Sequence, residues 1–354
     1  MHNNDKPIIG ISIGDPNGIG PEVVIKTLSE PRIMDFCTPI IYGSSSTLAY
    51  HRKTIEGVNF NPYLIRDIKE MNHNRVNLIN CWQDTIRITL GTPSEEAGKY
   101  AFLSIEGMVK DAKAGLLDAI VTAPIDKHTI QSETFNFPGH TEYLTQAFGK
   151  TDSLMVLSGE EFKIGVVTGH IPLIEVPGKI STEGILRKIK LLQTSLREDF
   201  NIRKPKIAVL GLNPHAGDGG LLGKEEIDII TPAIEAAKKQ DIIVFGPYPA
   251  DGFFGAHTYH NFDGILAMYH DQGLIPFKFA NFDTGVNFTA GLPVVRTSPD
   301  HGTGYDIAGK NLANEQSFRE AIYLACDIVK NRKMYAEVNK NPLKNQLTRE
   351  RDNG

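Results

Sequence analysis

The chain is expected to fold as an α/β protein with helices covering a largely parallel sheet, and two features lead there. Apolar strand-like runs alternate with helical periodicity through almost the whole sequence, the pattern of repeated βα units. The length of 354 residues exceeds the ~250–300 at which a single core stops growing, yet no linker rich in Pro, Gly and Ser divides it. Two domains are therefore expected, one inserted into the other rather than joined in tandem.

In chain order, residues 7–13 (PIIGISI) form a first strand, followed by a glycine turn and a helix opening at Pro21, a favoured first-turn residue. A strand over 39–42 leads to Ser44, Ser45 and Ser46, which can cap a second helix. Thr92-Pro93-Ser94-Glu95 has the form of a capping box with proline at the first helical position, starting a helix that continues to Lys113. Residues 118–123 (DAIVTA) read as a buried strand stopped by Pro124. Later helices are expected near 141–148, 182–199, 224–239 and 317–331, with strands over 162–168, 206–210, 242–245 and 263–269 between them. The polar stretch from Lys340 onward reads as a fraying end. Neither an internal repeat nor a low-complexity segment interrupts this order.

Composition excludes several function classes. Hydrophobic residues make up 41% and charged residues 22%, as in ordinary globular proteins, and a formal charge of −5 gives no electrostatic reason to expect nucleic acid or an anionic membrane. No apolar run approaches the ~18 residues of a membrane span, and the polar start MHNNDK has no signal-peptide character, so a cytoplasmic protein is expected. Cys37, Cys81 and Cys326 are odd in number, widely spaced and without a CxxC pair. They read as thiols in a reducing compartment, not as a disulfide or zinc framework.

Three of the strands end alike. FKIGVVT (162–168) gives way to Gly169-His170, KIAVL (206–210) is followed by Gly-Leu-Asn-Pro and His215, and DGILAMY (263–269) runs into His270. Ligands of open α/β sheets gather beyond the carboxyl ends of the strands. Three imidazoles delivered there make a candidate metal site with open positions for a substrate. A single strand-end histidine is more often structural; three in parallel settings point to a metal. Imidazole suits Zn, Co, Ni or Fe, and harder ions are admitted if water and substrate oxygens complete the shell. Asp271, directly after His270, and Asp251 are candidate carboxylates for the far N–H of such an imidazole; for Asp251 a turn aspartate is an equally good reading.

Pro138-Gly139-His140-Thr141-Glu142 places His140 and Thr141 at a helix start, where free N–H groups favour an anion; the alternative is that Thr141 simply caps the helix. Lys278, Asn287 and Arg296 are scattered through a Gly/Pro-rich, strand-like region. Together they can bind a phosphate and a carboxylate, although singly each reads as solvated surface. GDPNGIGPE (14–22) follows a strand and precedes a helix, but it fails the GxGxxG spacing and has no GK[ST]. Glycines for a tight turn are the better reading, and a Rossmann domain is not supported. The loop 300–309 (DHGTGYDIAG) can admit a flat ligand to its backbone, although by composition it is merely a polar, glycine-rich loop. His2, His51, His73, His128, His257 and His260 read as structural or surface residues.

Taken together, GDPNGIGPE, TAPIDK (122–127), PGHTE, TGHIPL (168–173), LNPHAGDGG (212–220), YHDQGLIPFK (269–278) and DHGTGYDIAGK (300–310) resemble the 4-hydroxythreonine-4-phosphate dehydrogenase family, in order over residues 8–330. YHDQG and LNPHAG are highly specific; GDPxGIGPE is shared more loosely with related enzymes. HGT…DIAG is similar to the adenine-side NAD loop of isopropylmalate and isocitrate dehydrogenases. The resemblance implies their fold, two α/β/α-type domains with an active-site cleft between them. Residues 1–128 plus 290–354 would carry the NAD loop, and 129–289 the histidines and dimer contacts. It implies NAD or NADP on a loop with His301, Gly302, Thr303 and Asp306, and one divalent ion (Zn, Co or Mg) on His170, His215 and His270. His270 would come from the other subunit of a homodimer whose active site lies at the interface. His140, Thr141, Lys278, Asn287 and Arg296 would contact the phosphorylated substrate, with Asp251 and Asp271 close by. His140, Asp251 or a metal-linked water would be the base. Gly252 and Gly304 depart from the hydroxyl residue and the alanine common at those places. The implied reaction is NAD-linked oxidation of 4-phosphooxy-L-threonine in pyridoxal 5'-phosphate biosynthesis. Threonate or erythronate 4-phosphate would suit the same residues. A metal-dependent hydrolase or acyltransferase and a non-catalytic phosphometabolite-binding protein are the more distant alternatives.

Overall fold

The computed structural model describes residues 6–132 and 135–341; the expected fraying tail lies almost entirely outside the described residues. Twelve strands form one sheet: β1 (Ile8–Ser12), β2 (Thr38–Gly43), β3 (Tyr63–Ile65), β4 (Asn77–Asn80), β5 (Ala119–Thr122), β6 (Leu154–Ser158), β7 (Lys163–Val166), β8 (Ile207–Leu210), β9 (Val244–Tyr248), β10 (Gly264–Ala267), β11 (Val286–Ala290) and β12 (Val295–Pro299). Their spatial order is β3-β4-β2-β1-β5-β12-β11-β6-β7-β10-β8-β9. The first six of that order are mutually parallel, as are the last four. Between them, β12–β11, β11–β6 and β6–β7 pair antiparallel, so β7, β10 and β8 run opposite to β1 and β5. The parallel expectation holds on either side of this seam and fails within it.

Alternating side chains show that both faces are covered. Ile41, Ala119 and Val121 join one core, whereas Ile40, Tyr42 and Ile120 join a second on the opposite face. Likewise Ile207, Val209 and Leu266 face the first core, while Ala208, Leu210, Ile265 and Ala267 face a third. The helices Gly20–Leu28, Thr182–Glu198, Thr231–Lys238 and Gln316–Val338 lie over the first core. Glu95–Lys113 and His270–Ala280 cover the other two. On Thr182–Glu198, Ile185, Ile189, Leu192 and Leu196 recur at helical spacing, a stripe whose burial contributes about 2 kcal/mol per side chain.

Local differences from expectation have local causes. Ser94, not Thr92, caps the helix Glu95–Lys113, its Oγ accepting from the Ala97 N–H at 3.2 Å, so Pro93 precedes the cap. Lys278, expected in a strand-like region, lies instead on the helix His270–Ala280, which tolerates Pro276 at the cost of one backbone bond. Gln272 fixes the strand-to-helix corner there. Its Oε1 accepts from the Met268 N–H at 2.7 Å and its Nε2 donates to Gly211 O at 2.6 Å. The last helix, Gln316–Val338, outruns its expected span.

The glycine turn is structural, as expected. A Cβ on Gly20 would lie 2.4 Å from Ile13 O, and the helix start behind it is closed by the Ile19 N–H donating to Thr303 O at 2.8 Å. His51 secures the same turn: fully buried, it donates from Nε2 to Pro16 O at 2.8 Å. Burial pulls its imidazole from the usual 6.5 down to about 4. Below pH 6.5 the unfolded chain therefore binds a proton that the folded chain refuses, and stability is lost as pH falls. His51→Gln retains a donor without titrating. The stability difference between wild type and this variant in urea is expected to narrow by about 3 kcal/mol between pH ~7 and pH ~4. A difference constant over that range would show that His51 is not the titrating group.

Cys37, Cys81 and Cys326 are free thiols. Among the described residues no helix is long and apolar enough to cross a membrane.

Candidate active site

A cleft of about 440 Å³ lies between the ends of β5 and β12, the helix His140–Ala147 and the first turn of His270–Ala280. It is lined by His140, Thr141, His170, His270, Asp271, Lys278, Asn287, Arg296, His301 and Gly302, which the sequence scatters between positions 140 and 302. At the helix start the N-cap is Gly139, without a capping side chain. Thr141 is thus not the cap, and the first-turn N–H groups are left to a ligand.

Arg296 on β12 is only 2% exposed, so the solvated-surface reading fails for it. Its Nη1 donates to Thr289 Oγ1 at 3.1 Å and its Nη2 to Thr122 Oγ1 at 2.7 Å, and no carboxylate among the described residues pairs with it. Burial lowers its guanidinium to about 10, opposed by Glu142. Lys278 donates from Nζ to Asp300 O at 3.1 Å and pairs with Oδ1 of the same residue at 3.3 Å. Burial raises the Asp300 carboxyl, with Lys278 acting against it. Burial first, then the charges of Arg296 and Lys127, hold His140 well below the usual histidine range, so it is neutral at pH ~7. His140 Nε2, Asn287 Oδ1, Arg296 Nε and His301 Nε2 are buried without hydrogen-bond partners among the described residues. Each such atom costs about 1–3 kcal/mol. Gathered in one cleft, they mark a site built for a polar ligand.

The rings of His170 and His270 stand 5.3 Å apart, centroid to centroid. His270 Nδ1 donates to Asp271 Oδ1 at 2.7 Å, which leaves Nε2 as the ligand atom. Two imidazoles, one braced by a carboxylate, fit a divalent cation in donor type. Among the described residues, however, no three His, Cys, Asp or Glu gather closely enough to hold one alone. β7, β10 and β8 are parallel neighbours, so the three histidines do leave the same edge of the sheet. His215 then enters a left-handed turn (φ 53° at His215, 50° at Ala216, 84° at Gly217) and does not line the cleft. Asp251 is exposed on Ala250–Gly255, also outside the lining. Nothing stands within 4 Å of where a Gly252 Cβ would lie, so that departure alters no packing.

Thr303 and Asp306 do not line the cleft, although His301 and Gly302 beside them do. Their loop is tied to the glycine turn through Thr303 O and through Tyr305, whose hydroxyl donates to Asp15 Oδ2 at 2.8 Å. Gly304 has φ 53°, and a Cβ there would lie 2.8 Å from Ile19 Cδ1, so an alanine would be strained and would press on Ile19. Lys127, Glu142 and Asp300 line the cleft without having been singled out in the sequence. Lys127 Nζ lies 3.2 Å from His170 Nε2. Lys127 and Glu142 stand within the TAPIDK and PGHTE stretches, but only folding reveals where their charges point.

Fold and site together define an α/β protein with a cleft lined by a buried arginine, imidazoles and unpaired buried polar atoms. The family model described as "Pyridoxal phosphate biosynthetic protein PdxA" matches residues 35–325, and the chain belongs to this family. It is 52% identical over 345 residues to the 4-hydroxythreonine-4-phosphate dehydrogenase of Bacteroides thetaiotaomicron, covering 97% of this chain and 94% of that one. Among solved structures, the 4-hydroxythreonine-4-phosphate dehydrogenase from Klebsiella pneumoniae superposes with a TM-score of 0.81 at 35% identity, covering 93% of this chain and 99% of that one. The one from Burkholderia phymatum superposes with a TM-score of 0.76 at 36% identity, covering 92% and 99%.

Proposed function

We propose that the protein oxidises the C3 hydroxyl of 4-phosphooxy-L-threonine with NAD. The product, 2-amino-3-oxo-4-phosphooxybutanoate, is a β-keto acid that loses CO₂ to give 3-amino-2-oxopropyl phosphate for pyridoxal 5'-phosphate synthesis. The single observation that carries this reading is the buried, carboxylate-free Arg296 beside an uncapped helix start and two imidazoles. The names of the relatives supply the substrate and the dehydrogenase activity.

The uncapped first turn at His140 and Thr141, with Lys278, Asn287 and Arg296, would hold the substrate's anionic groups. Glu142 lines the same cleft and makes no ion pair among the described residues, so it offers a carboxylate to the substrate ammonium. That favours the amino acid over threonate or erythronate 4-phosphate. His140, neutral with Nε2 unpaired, is placed to accept a hydrogen bond from the reacting hydroxyl. His170, His215 and His270 would hold the divalent ion (Zn, Co or Mg), which when bound supplies a Lewis acid for the alcohol oxygen. NAD or NADP would lie along the loop of His301, Gly302, Thr303 and Asp306, bringing the hydride-accepting ring.

A second copy of the chain would complete the site, His270 being donated across the interface, with Asp251 close by. Exposed apolar residues support this: Ile174 (90% exposed) and Leu221 (79%) follow His170 and His215, and Phe279 (94%) lies on the helix begun by His270. Residues 1–128 with 290–354, and 129–289, would be the two domains flanking the cleft. Three free thiols suit a reducing, cytoplasmic setting.

The test is NADH formation with 4-phosphooxy-L-threonine and, separately, with threonate 4-phosphate, each with and without a chelator. Turnover of the amino acid is expected to dominate and to fall at least about tenfold when the ion is stripped. Preference for threonate would move the enzyme to sugar-acid breakdown, and no NADH from either substrate would refute the dehydrogenase reading.

A further inference from the structure

We propose that Thr289 is a positioning residue that sets the direction of Arg296 and through it the seat of the substrate's anionic group. This inference rests on the reading of the cleft given above. Arg296 lies on β12, flanked by β5 and β11. On β5 its register partner is Ile120, so Thr122, two residues on, shares its face. On β11, Thr289 follows Phe288, the residue paired with Thr297 next to Arg296. The guanidinium thus reaches across three strands and is pinned by a hydroxyl on each side, at 2.7 Å to Thr122 and 3.1 Å to Thr289.

A guanidinium carries five N–H donors in a rigid plane. The two threonines take one from each terminal nitrogen, and Nε is left buried and unpaired. Of the three N–H groups that remain, Nε–H and one on an adjacent terminal nitrogen offer the geometry for a two-pronged grip on a carboxylate or phosphate. Hydroxyls fix that edge in place without neutralising the charge, as a carboxylate partner would. Thr289 is fully buried and does not line the cleft, so it reaches a bound substrate only through Arg296. At such a strand position valine would pack as well as threonine, and the hydroxyl is what Arg296 requires.

Steady-state kinetics of Thr289→Val, Thr289→Ser and Arg296→Met, with 4-phosphooxy-L-threonine and NAD varied in turn, test this. Thr289→Val is expected to raise KM for the phosphorylated substrate about tenfold, with kcat and the KM for NAD changed by less than about twofold. Thr289→Ser, which restores the acceptor, is expected to return KM to the wild-type value. Melting curves of all three establish that each is folded. If Thr289→Val leaves KM unchanged while Arg296→Met raises it, the positioning role is overturned. It is equally overturned if Thr289→Ser binds as weakly as Thr289→Val. An unchanged KM in Arg296→Met would instead remove the anion-binding reading itself, a distinct failure that takes the inference with it.

Discussion

With His270→Ala, kcat/KM is expected to fall about a thousandfold while the melting temperature stays near that of the wild type, because a cation in an active site contributes several kcal/mol to the transition state. His270 opens a helix at the cleft, half-buried, and its only side-chain bond among the described residues is to Asp271 at 2.7 Å, so little of the fold depends on it. Asp271→Asn, which weakens the brace without removing the ligand atom, is expected to cost about 10–100-fold. Metal content after dialysis should follow the same ranking. A His270→Ala enzyme that turns over fully in chelator would end the metal assignment. His215→Ala separates two arrangements. A loss as large as that of His270→Ala means that His215 joins the other two imidazoles in the assembled centre, whereas a silent variant means that the cleft's own groups suffice.

Arg296→Met is expected to raise the KM for the phosphorylated substrate about a hundredfold, the effect of losing roughly 3 kcal/mol of charge-assisted hydrogen bonding. The KM for NAD should not change. Stability should move the other way. Arg296 is buried against hydroxyls with no carboxylate partner among the described residues, so the folded apo-protein carries the cost of desolvating a charge. A methionine of similar length removes that cost, and the variant is expected to melt at or above the wild-type temperature. Weak substrate binding together with a clearly lowered melting temperature would mark Arg296 as a structural residue first.

Much of the fold was legible in the sequence because its information is local. Helical periodicity located the helix Thr182–Glu198 nearly to the residue, and the apolar runs before His170, His215 and His270 located β7, β8 and β10. Where two local signals competed, the wrong one was sometimes preferred. Lys278 stands in a Gly/Pro-rich stretch that reads as strand-like, yet it lies on the helix His270–Ala280, whose corner Gln272 holds by bonds to two different strand ends. The strands β3, β4 and β6 gave no readable alternation, since β3 and β4 span only three and four residues and β6 is buried on both faces along most of its length.

By itself, the sequence determined the α/β class, the delivery of three histidines at strand ends and, through its ordered motifs, the family. Strand order, the antiparallel seam and the company each side chain keeps were decided only by the tertiary structure. Arg296 looks like a surface cation until β5 and β11 close over it, and Lys127 and Glu142 look unremarkable until β5 and the helix His140–Ala147 turn them into one cleft. Asp251 and His215 carry the right chemistry and still lie outside that cleft in a single chain. The physical reason is that periodicity and capping act over a few residues, whereas burial and electrostatics depend on atoms close in space and distant in sequence. Thr122 and Arg296, 174 positions apart, meet at 2.7 Å.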